Sequence, residues 1–568
     1  MSTRESLASN DLPPEMPREF PARRGNSVFY KGKTLLSRLD PVAQAEKLVS
    51  QIQCTERTLY FCPSPLYGYG LDGLLKKLKN NSAVLCVESD AALYDLSLKN
   101  MAALLEREKQ SGKLALCKVN DENDAPQRLC ATITKLWGGR RFRRVELLRL
   151  GGGWQLFPEL YEKMEKAARR DMALRWGNAM TLIRLGRLYC RNFIKNIALI
   201  PKLKSIGGLS FGNAPLLVLG AGPSLDGLLS EIENFFRPVL RDGARRTFKI
   251  ICVDTCLSAL KDRDIRPDLV VVLESQHWNL SDFTGCKGWA VPLAFDLSAL
   301  PSSSRVLDGE TWLYWTPWTE IKLFGRLEKR RLLPSALNPL GSVGLSAVEI
   351  ARRLSSGPLV IGGLDFSYTP GLYHARATPG HKVKLFKTNR FRPVLNAEAA
   401  FRTGTFPALS KIGSGVRSDP AMRNYRSLFE EEFAADKRIF DIQGPGLPLG
   451  LKILTIEEAC GILSAKPDSE KKTQTVKAEL NPALKAAAEE EAGMLARLRD
   501  LLSGETTGPQ NELWGLLDDL DYLWAHFPEY AGTGKRPPPS LDISFLKRVR
   551  AEIDLFLKLW NNLIHLLS

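Results

Sequence analysis

The sequence predicts an α/β protein with a central Rossmann-like domain built around a mostly parallel sheet. Short apolar runs alternate with helical patterns between about residues 206 and 465, which is the alternation that a parallel sheet requires. These runs have no polar face, which is typical of strands buried on both sides. Several of them end in a glycine turn or a carboxylate, so we expect polar groups to collect at one edge of the sheet.

The central element is predicted at residues 215–226, where an apolar strand precedes Gly220, Ala221 and Gly222 and a helix begins near Ser224. A strand, a glycine turn and a helix N-terminus bring free backbone N–H groups and a partial positive charge together. Such a turn suits a phosphate group, and the same pattern also serves as a plain strand-to-helix connection in α/β domains.

Length, composition and charge limit the function. The 568 residues exceed one hydrophobic core, so about two to four domains are expected. The net charge of +16 indicates anionic partners, such as a nucleotide-linked substrate or an acidic protein surface. The dense basic run at residues 140–144 leads into an apolar strand and is interpreted as solvated surface. No helix-turn-helix, zinc-finger or RNP pattern is present, so no nucleic-acid partner is predicted.

The same survey predicts a cytoplasmic protein. No apolar run reaches the ~18 residues of a membrane span, and the polar N-terminus has no apolar segment for secretion. The ten cysteines are scattered without paired metal spacing, which indicates reduced thiols. No Asp-x-Asp motif stands at a predicted strand end, so neither a catalytic metal nor another cofactor is predicted.

Composition divides the chain into four predicted segments. Residues 1–26 are a disordered lead-in, 27–205 a Rossmann-like accessory domain with long bridging helices, 206–465 the central domain and 466–568 a helical domain. The last predicted helix is amphipathic and is expected to pack within its own domain or against a second copy of the chain.

The accessory domain contains a second glycine turn. Gly68, Gly70 and Gly73 have GxGxxG spacing, and Glu88 follows about 20 residues later, as in a dinucleotide-binding fingerprint. Residues 63–67 lengthen the turn before the first glycine, and no second half-site follows in orderly series. We therefore interpret this turn as part of an accessory domain and leave open whether it binds a ligand.

Polar residues follow several predicted strands of the central domain. Ligands of open parallel sheets bind beyond the carboxyl ends of the strands. The helix starts near Ser224 and Ser342 predict sites for two anionic groups, and a phosphate and a carboxylate would fit. The other residues expected at this edge are Asp254, Glu274, Ser275, Asn338, Gly341 and Asp365.

These motifs occur in the same order in the motility-associated factor (Maf) glycosyltransferases, which the chain resembles over roughly residues 27–465. They are the segments at 218–226, 267–268, 341–344 and 363–366, the last with a downstream histidine. The resemblance implies a GT-A-variant fold like that of CMP-sialic-acid-dependent sialyltransferases. It also implies inverting, metal-independent transfer of a sialic, pseudaminic or legionaminic acid from its CMP donor to Ser or Thr of flagellin.

The resemblance also implies roles for individual residues. The CMP phosphate would lie over Gly220, Gly222 and Ser224, and the sugar carboxylate near Gly341 and Ser342. In the related sialyltransferases, tyrosines after the Gly-x-Asp-Phe motif assist the leaving phosphate. The corresponding candidates here are Tyr368 and Tyr373.

A base must accept the proton of the acceptor hydroxyl, and histidine titrates in the appropriate range. Among the five histidines, His374 and His381 follow the Asp365 strand, and we favour His374. Two departures from the family pattern bear on the acceptor. Glu274 stands where Asp is frequent, and the segment 382–417 is strongly basic and hard to match. The longer irregular stretch from residue 369 to about 419 is of the kind that often forms a functional lid.

Two alternatives remain open from the sequence. Archaeal 6-hydroxymethylpterin diphosphokinases, the MptE-like enzymes, share the Gly-x-Gly-Pro-Ser-Leu segment, and their reaction would require Mg²⁺ at acids such as Asp254 and Glu274. A non-catalytic flagellin chaperone with a degenerate site is the second alternative.

Overall fold

The computed structural model describes residues 16–119, 124–138, 141–240, 246–319, 321–394, 404–466, 480–503, 510–527 and 543–568. The chain forms two compact units, Met1–Arg184 with Ala525–Ser540 and Leu185–Trp524 with Leu541–Ser568. This division differs from the predicted boundary at residue 205, because it falls inside a long helix. The C-terminal helices also belong to the second unit instead of forming a separate domain.

The first unit begins with a small antiparallel sheet of β1 (Arg18–Pro21), β2 (Asn26–Tyr30) and β3 (Lys33–Thr34). The prediction of a disordered lead-in is therefore wrong from residue 18 onward, and residues 1–15 lie outside the described part. Asp40 accepts a hydrogen bond from the Ala43 N–H and so caps α1 (Pro41–Ser50), as its Asp-Pro start indicates.

A four-stranded parallel sheet follows, with the order β6-β5-β4-β7. This is the order of a Rossmann-like half, which agrees with the interpretation of the accessory domain. Its elements are β4 (Thr58–Pro63), α2 (Leu71–Lys77), β5 (Ala83–Glu88), α3 (Ala91–Glu108), β6 (Leu114–Lys118), α4 (Ala125–Trp137) and β7 (Arg144–Leu147). Helix α5 (Pro158–Ile197) begins in this unit and ends in the second.

The second unit is organised around a ten-stranded sheet with the order β14-β13-β12-β11-β10-β9-β15-β18-β19, with β8 paired to β13. All of its strand pairs are parallel. The strands are β8 (Lys204–Ser205), β9 (Leu216–Leu219), β10 (Lys249–Val253), β11 (Leu269–Val272), β12 (Leu293–Asp296), β13 (Thr311–Trp315), β14 (Ser335–Ala336), β15 (Leu359–Gly362), β18 (Ile439–Ile442) and β19 (Lys452–Leu454).

Strand β9 lies between β10 and β15, and this position locates the site. The chain runs outward from β9 through β10 to β14, then returns to the other side of β9 to form β15. The carboxyl ends of β9 and β15 therefore flank the topological switch point, where ligands of such sheets bind. All four residues of β9 are fully buried, as their lack of a polar face predicts.

Helices and one hairpin complete the second unit. They are α6 (Leu225–Leu240), α7 (Leu257–Lys261), α8 (Lys322–Lys329), α9 (Val343–Leu354), α10 (Pro379–Phe386), the antiparallel strands β16 (Phe406–Leu409) and β17 (Gly415–Ser418), α11 (Pro420–Phe433) and α12 (Ile456–Leu463). The segment predicted to be an irregular lid thus contains α10 and the β16–β17 hairpin; its residues 395–403 lie outside the described part.

Three further helices, α13 (Leu480–Ser503), α14 (Gln510–Asp519) and α15 (Ile543–Leu567), pack together. The Trp560 indole donates to the Tyr522 hydroxyl in their interior, and the Arg326 guanidinium of α8 donates to Glu491 of α13 at 2.6 Å. All ten cysteines are free thiols. Within the described ranges, no helix has both the length and the apolar character of a membrane span.

Candidate functional site

The turns after β9 and β15 pack directly against each other at the switch point. The Gly220 N–H donates to the Gly362 carbonyl at 2.9 Å, and the Gly222 N–H donates to the Gly363 carbonyl at 2.8 Å. A Cβ atom at Gly363, whose φ is +73°, would lie 2.4 Å from the Gly220 carbonyl oxygen. These glycines are thus required by the close approach of two backbones.

Asp365 binds the start of α6 at this junction. Its carboxylate accepts hydrogen bonds from the Ser224 N–H at 2.7 Å and from the Ser224 hydroxyl at 2.6 Å. Burial raises the pKa of Asp365, while the two bonds from Ser224 and the nearby Lys411 ammonium lower it. Both donors of Ser224, predicted to contact a phosphate, are therefore used within the protein. Both carboxylate oxygens of Asp365, predicted to be catalytic, accept these bonds.

A buried ion pair lies behind this junction. The Lys411 ammonium contacts the Asp441 carboxylate of β18 at 2.6 Å, and both side chains are almost completely buried. Burial raises the pKa of Asp441 to about 6, against the lowering effect of Lys411. The positive charge of Lys411 also lowers the pKa of Asp365. One cation therefore stabilises the ionised forms of two buried carboxylates.

The predicted catalytic residues Tyr368, Tyr373 and His374 form one cluster. The two tyrosine rings stack with centroids 4.9 Å apart, and the His374 ring meets Tyr373 edge-on at 4.6 Å. The Tyr368 hydroxyl donates to the buried carboxylate of Asp419 at 2.6 Å, which leaves Tyr373 as the tyrosine better placed to contact a ligand. Asp419 in turn caps α11 through the Met422 N–H.

His374 is held against the predicted glycine turn. Burial lowers the pKa of the imidazole to about 4, and a hydrogen bond to the Ala221 backbone opposes this shift. The Ala375 N–H also donates to the Ala221 carbonyl, at 2.9 Å. The segment after Tyr373 is therefore fixed to the β9 turn, and His374 is a neutral imidazole at physiological pH.

Tyr425 joins the cluster from α11. Burial raises its pKa, and the effects of Tyr373, Asp419 and Glu274 add to the shift. A Cβ atom at Gly341 would lie 3.5 Å from the Tyr425 ring, so the start of α9 borders the same space. At that start, Ser342 occupies the N-cap position but its side chain makes no capping hydrogen bond. The first-turn N–H groups of α9 are donors of the kind that bind anions.

The acids that follow β10 and β11 differ in burial, because Asp254 is buried whereas Glu274 is exposed. Asp254 is buried and accepts from the Asn279 amide at 2.6 Å and from the Thr255 N–H at 2.8 Å. Burial raises its pKa to about 6; burial, with help from Asp254 and Glu274, raises the pKa of Asp282 to about 7. Asp254 thus holds the following turn together, which suits a structural role better than Mg²⁺ coordination. In the described ranges, no group of three His, Cys, Asp or Glu side chains forms a metal-binding arrangement.

Ser275 and the loop after β12 are held by α5. The Asn192 amide donates to the Ser275 and Ser298 carbonyls at 3.0 and 3.2 Å, and the Asn196 amide donates to the Leu297 and Ala299 carbonyls at 2.9 Å each. The sequence pattern predicts a long bridging helix here but gives neither asparagine a role. Their spacing of one helical turn was the signal that could have identified them.

The predicted residues therefore separate into two sets. Tyr368, Tyr373, His374 and Gly341 share the cluster with Asp419 and Tyr425, whereas Glu274 and Asn338 are exposed. Asp419 could have been found from its Asp-Pro helix start. Nothing local distinguishes Tyr425. His381 is buried in α10 beside Asp226, and burial lowers its pKa.

In the first unit, other parts of the protein pack against the Gly68–Gly73 turn and against Glu88. A Cβ atom at Gly70 would lie 3.1 Å from the Ala45 carbonyl oxygen of α1. Glu88, the acid of the predicted fingerprint, accepts from the Ser64 and Ser97 hydroxyls at 3.0 and 2.9 Å, and burial raises its pKa to about 8. Its carboxyl group is thus occupied where a dinucleotide ribose would bind.

Together, the parallel sheet, its switch-point cluster and the helical C-terminal region define an α/β protein whose fold is similar to that of a solved Maf glycosyltransferase. A Maf glycosyltransferase from Magnetospirillum magneticum AMB-1 superimposes with a TM-score of 0.53 at 14% identity, over 96% of this chain and 92% of that one. Residues 191–371 match the family model described as 6-hydroxymethylpterin diphosphokinase MptE-like. An uncharacterized protein of Treponema pallidum (strain Nichols) is 29% identical over 97% of this chain and 96% of its own length. The expected resemblance to Maf proteins is confirmed at the level of the fold, and the expected resemblance to MptE-like proteins is confirmed over residues 191–371.

Proposed function

We propose that the second unit is a glycosyltransferase that moves a nonulosonic acid of sialic, pseudaminic or legionaminic type from a CMP donor to Ser or Thr of flagellin. The observation that carries the proposal is the cluster of Tyr368, Tyr373, His374 and Tyr425 beside the uncapped start of α9. The cluster brings the neutral imidazole of His374 and the tyrosine hydroxyl groups next to the start of α9, whose free N–H groups suit an anion. The likeness to the Magnetospirillum protein supports the choice of fold only.

Each group has a role in the proposed reaction. The first-turn N–H groups of α9 and the Ser342 hydroxyl bind an anionic group of the donor. Tyr373 and Tyr425 donate hydrogen bonds to the phosphate as its bond to the sugar breaks and its charge increases. The neutral His374 accepts the proton of the acceptor hydroxyl while its oxygen bonds to the sugar. Asp365 and Asp419 position the β9 turn and Tyr368, respectively.

Ligand-induced thermal stabilisation of the full chain tests the proposal. A ligand that binds only the folded state raises Tm by mass action, so CMP should raise it without Mg²⁺ while NAD should not. Ser342→Ala and Tyr425→Phe should reduce the shift given by CMP. Ser230→Ala, at an exposed serine of α6, is the matched control and should leave it unchanged. No stabilisation by CMP would reject the proposal.

A second candidate function follows from the MptE-like match over residues 191–371, namely pyrophosphate transfer from ATP. It predicts stabilisation by ATP with Mg²⁺ and no response to CMP alone. The third candidate, a flagellin chaperone, predicts flagellin binding without turnover. His374→Ala that abolishes glycosylation while CMP and flagellin still bind would exclude the chaperone.

A further inference from the structure

The segment that begins with α10 exposes unusually large apolar side chains. Phe386 and Phe391 are 89% and 88% exposed, and Val383 and Leu385 are about half exposed. A soluble protein rarely displays several such residues in one short segment without a binding role. We name residues 383–391 the basic-aromatic segment.

The segment has a defined conformation. The Asn389 side chain accepts from the Phe391 and Arg392 N–H groups at 2.9 and 3.0 Å, and this turn projects Phe391 outward. At the other end, Lys382 pairs with Asp262 at 2.6 Å, and α10 packs against the turn His277–Phe283. The contacts at both ends of the segment thus hold the exposed Phe386 and Phe391 rings in defined positions.

The charge of the region is strongly one-sided. Residues 366–418 contain nine Lys or Arg and one acid, Glu398. Lys387 and Arg390 are exposed, and neither pairs with an acid among the residues that the structure describes. The segment thus presents these two cations next to exposed apolar side chains. A partner that carries acidic side chains on either side of an apolar side chain would be complementary to it.

The segment also adjoins the candidate site. The Lys384 ammonium, which lies within it, is 4.9 Å from the centre of the Tyr373 ring. A chain bound along the segment would therefore pass the residues that the proposed reaction uses. The proximity to Tyr373 favours a polypeptide substrate over a membrane surface. The length of α10 favours it too, because helices that lie in a membrane interface are usually longer than eight residues.

We propose that the basic-aromatic segment is the docking surface for the acceptor polypeptide, and that it selects acidic segments bearing an exposed aromatic or aliphatic side chain. The assignment of the bound chain as acceptor depends on the proposed transferase function; the docking itself does not. Apolar side chains of the partner cover Phe386 and Phe391, while its carboxylates pair with Lys387 and Arg390.

Fluorescence anisotropy with the full chain tests the docking directly. The probe is a short fluorescein-labelled peptide of alternating Glu and Phe, and the control peptide carries Lys in place of Glu. Only the acidic peptide should bind, and added salt should weaken it. The double variants Phe386→Ala/Phe391→Ala and Lys387→Glu/Arg390→Glu should each weaken binding by about tenfold or more. Phe235→Ala, at a half-exposed phenylalanine of α6, should leave it unchanged.

The remaining outcomes are decisive too. Equal binding of both peptides, binding that survives both double variants, or no binding would overturn the proposal. Sedimentation with phosphatidylglycerol vesicles that depends on the same residues, without peptide binding, would reassign the segment to a membrane surface. Thermal stabilisation by CMP should be normal in both double variants. If the unmodified chain binds the acidic peptide but is not stabilised by CMP, the proposed transferase function is rejected and the docking surface is retained.

Discussion

Ser224 and Asp365, 141 residues apart in the sequence, are joined by two hydrogen bonds of 2.7 and 2.6 Å. They connect the start of α6 to the end of β15 and so fix the two turns at the switch point. The carboxylate replaces a bound anion as the acceptor at this helix start. The backbone bonds of Gly220 and Gly222 to the β15 turn hold Ala221 between them. The Ala221 backbone in turn fixes His374.

Asp365→Asn should destabilise the second unit. The two donors of Ser224 bond to different oxygens of the carboxylate, and asparagine keeps only one of these as an acceptor. The donor left unsatisfied in this buried site costs about 1–3 kcal/mol. Denaturant unfolding of the full chain, followed by fluorescence, measures the change. Ser224→Ala should have a smaller effect of the same sign. Ser230→Ala should shift the free energy of unfolding by less than about 0.5 kcal/mol, and an equal loss in both serine variants would contradict this account.

Lys411→Met should be more damaging, because it leaves Asp441 buried without a cation and removes the charge that stabilises ionised Asp365. Removing one partner of a buried pair costs about 3–5 kcal/mol. The double variant Lys411→Met/Asp441→Leu should recover much of that loss in the same denaturation experiment.

The matched control for this pair is Lys382→Ala, which breaks the exposed pair with Asp262. Its effect on the free energy of unfolding should lie within about 0–1 kcal/mol. Similar losses from the buried and exposed lysines would show that Lys411 is not the cation on which the junction depends.

The pH dependence of glycosyl transfer should report His374. The folded pKa of about 4 keeps the imidazole neutral above that pH, so the acidic decline of kcat/KM should fall near pH 4 and not near 6.5. His374→Gln should lower the rate by about 10²–10⁴-fold and remove this decline. His381→Gln, at the other buried histidine of the region, should retain it.

Glu88 should make the first unit less stable as pH rises. Its pKa is about 8 in the folded state, against 4.5 for an unperturbed Glu, because burial disfavours the charged carboxylate. Between these values the folded state holds one more proton than the unfolded state. The free energy of unfolding therefore falls by up to about 1.4 kcal/mol per pH unit.

Hydrogen exchange of the β4 and β5 amides across this pH range measures that dependence. Glu88→Gln should flatten it, since the amide oxygen can still accept from Ser64 and Ser97 but carries no titrating proton. A slope unchanged by Glu88→Gln would assign the effect to another group.

Much of the sheet could be predicted from the sequence, because buried parallel strands are short apolar runs that end in polar residues. The apolar strand predicted before Gly220 is β9, which spans Leu216–Leu219. The unit boundary inside α5 could not be predicted, because helical periodicity continues through residue 184 without a break.

The site was only partly predictable, because residue type does not reveal which partner a side chain will use. The tyrosines and His374 could be placed near a strand end. The two hydrogen bonds that Asp365 accepts from Ser224 could not be predicted, because they depend on a contact between strands that are distant in the sequence. Tyr425 likewise reaches the cluster only because Asp419 starts α11 beside Tyr368.

The position of β9 in the sheet has a consequence for how the chain acquires its site. β9 can pair with β10 soon after synthesis, but its other edge stays open until β15 arrives some 140 residues later. Closing so long a loop is slow, and an open strand edge invites pairing with other chains. Until β15 is in place, β9 has one unpaired edge, and the turn contacts that hold His374 cannot form. Aggregation through this open edge would compete with the arrival of β15.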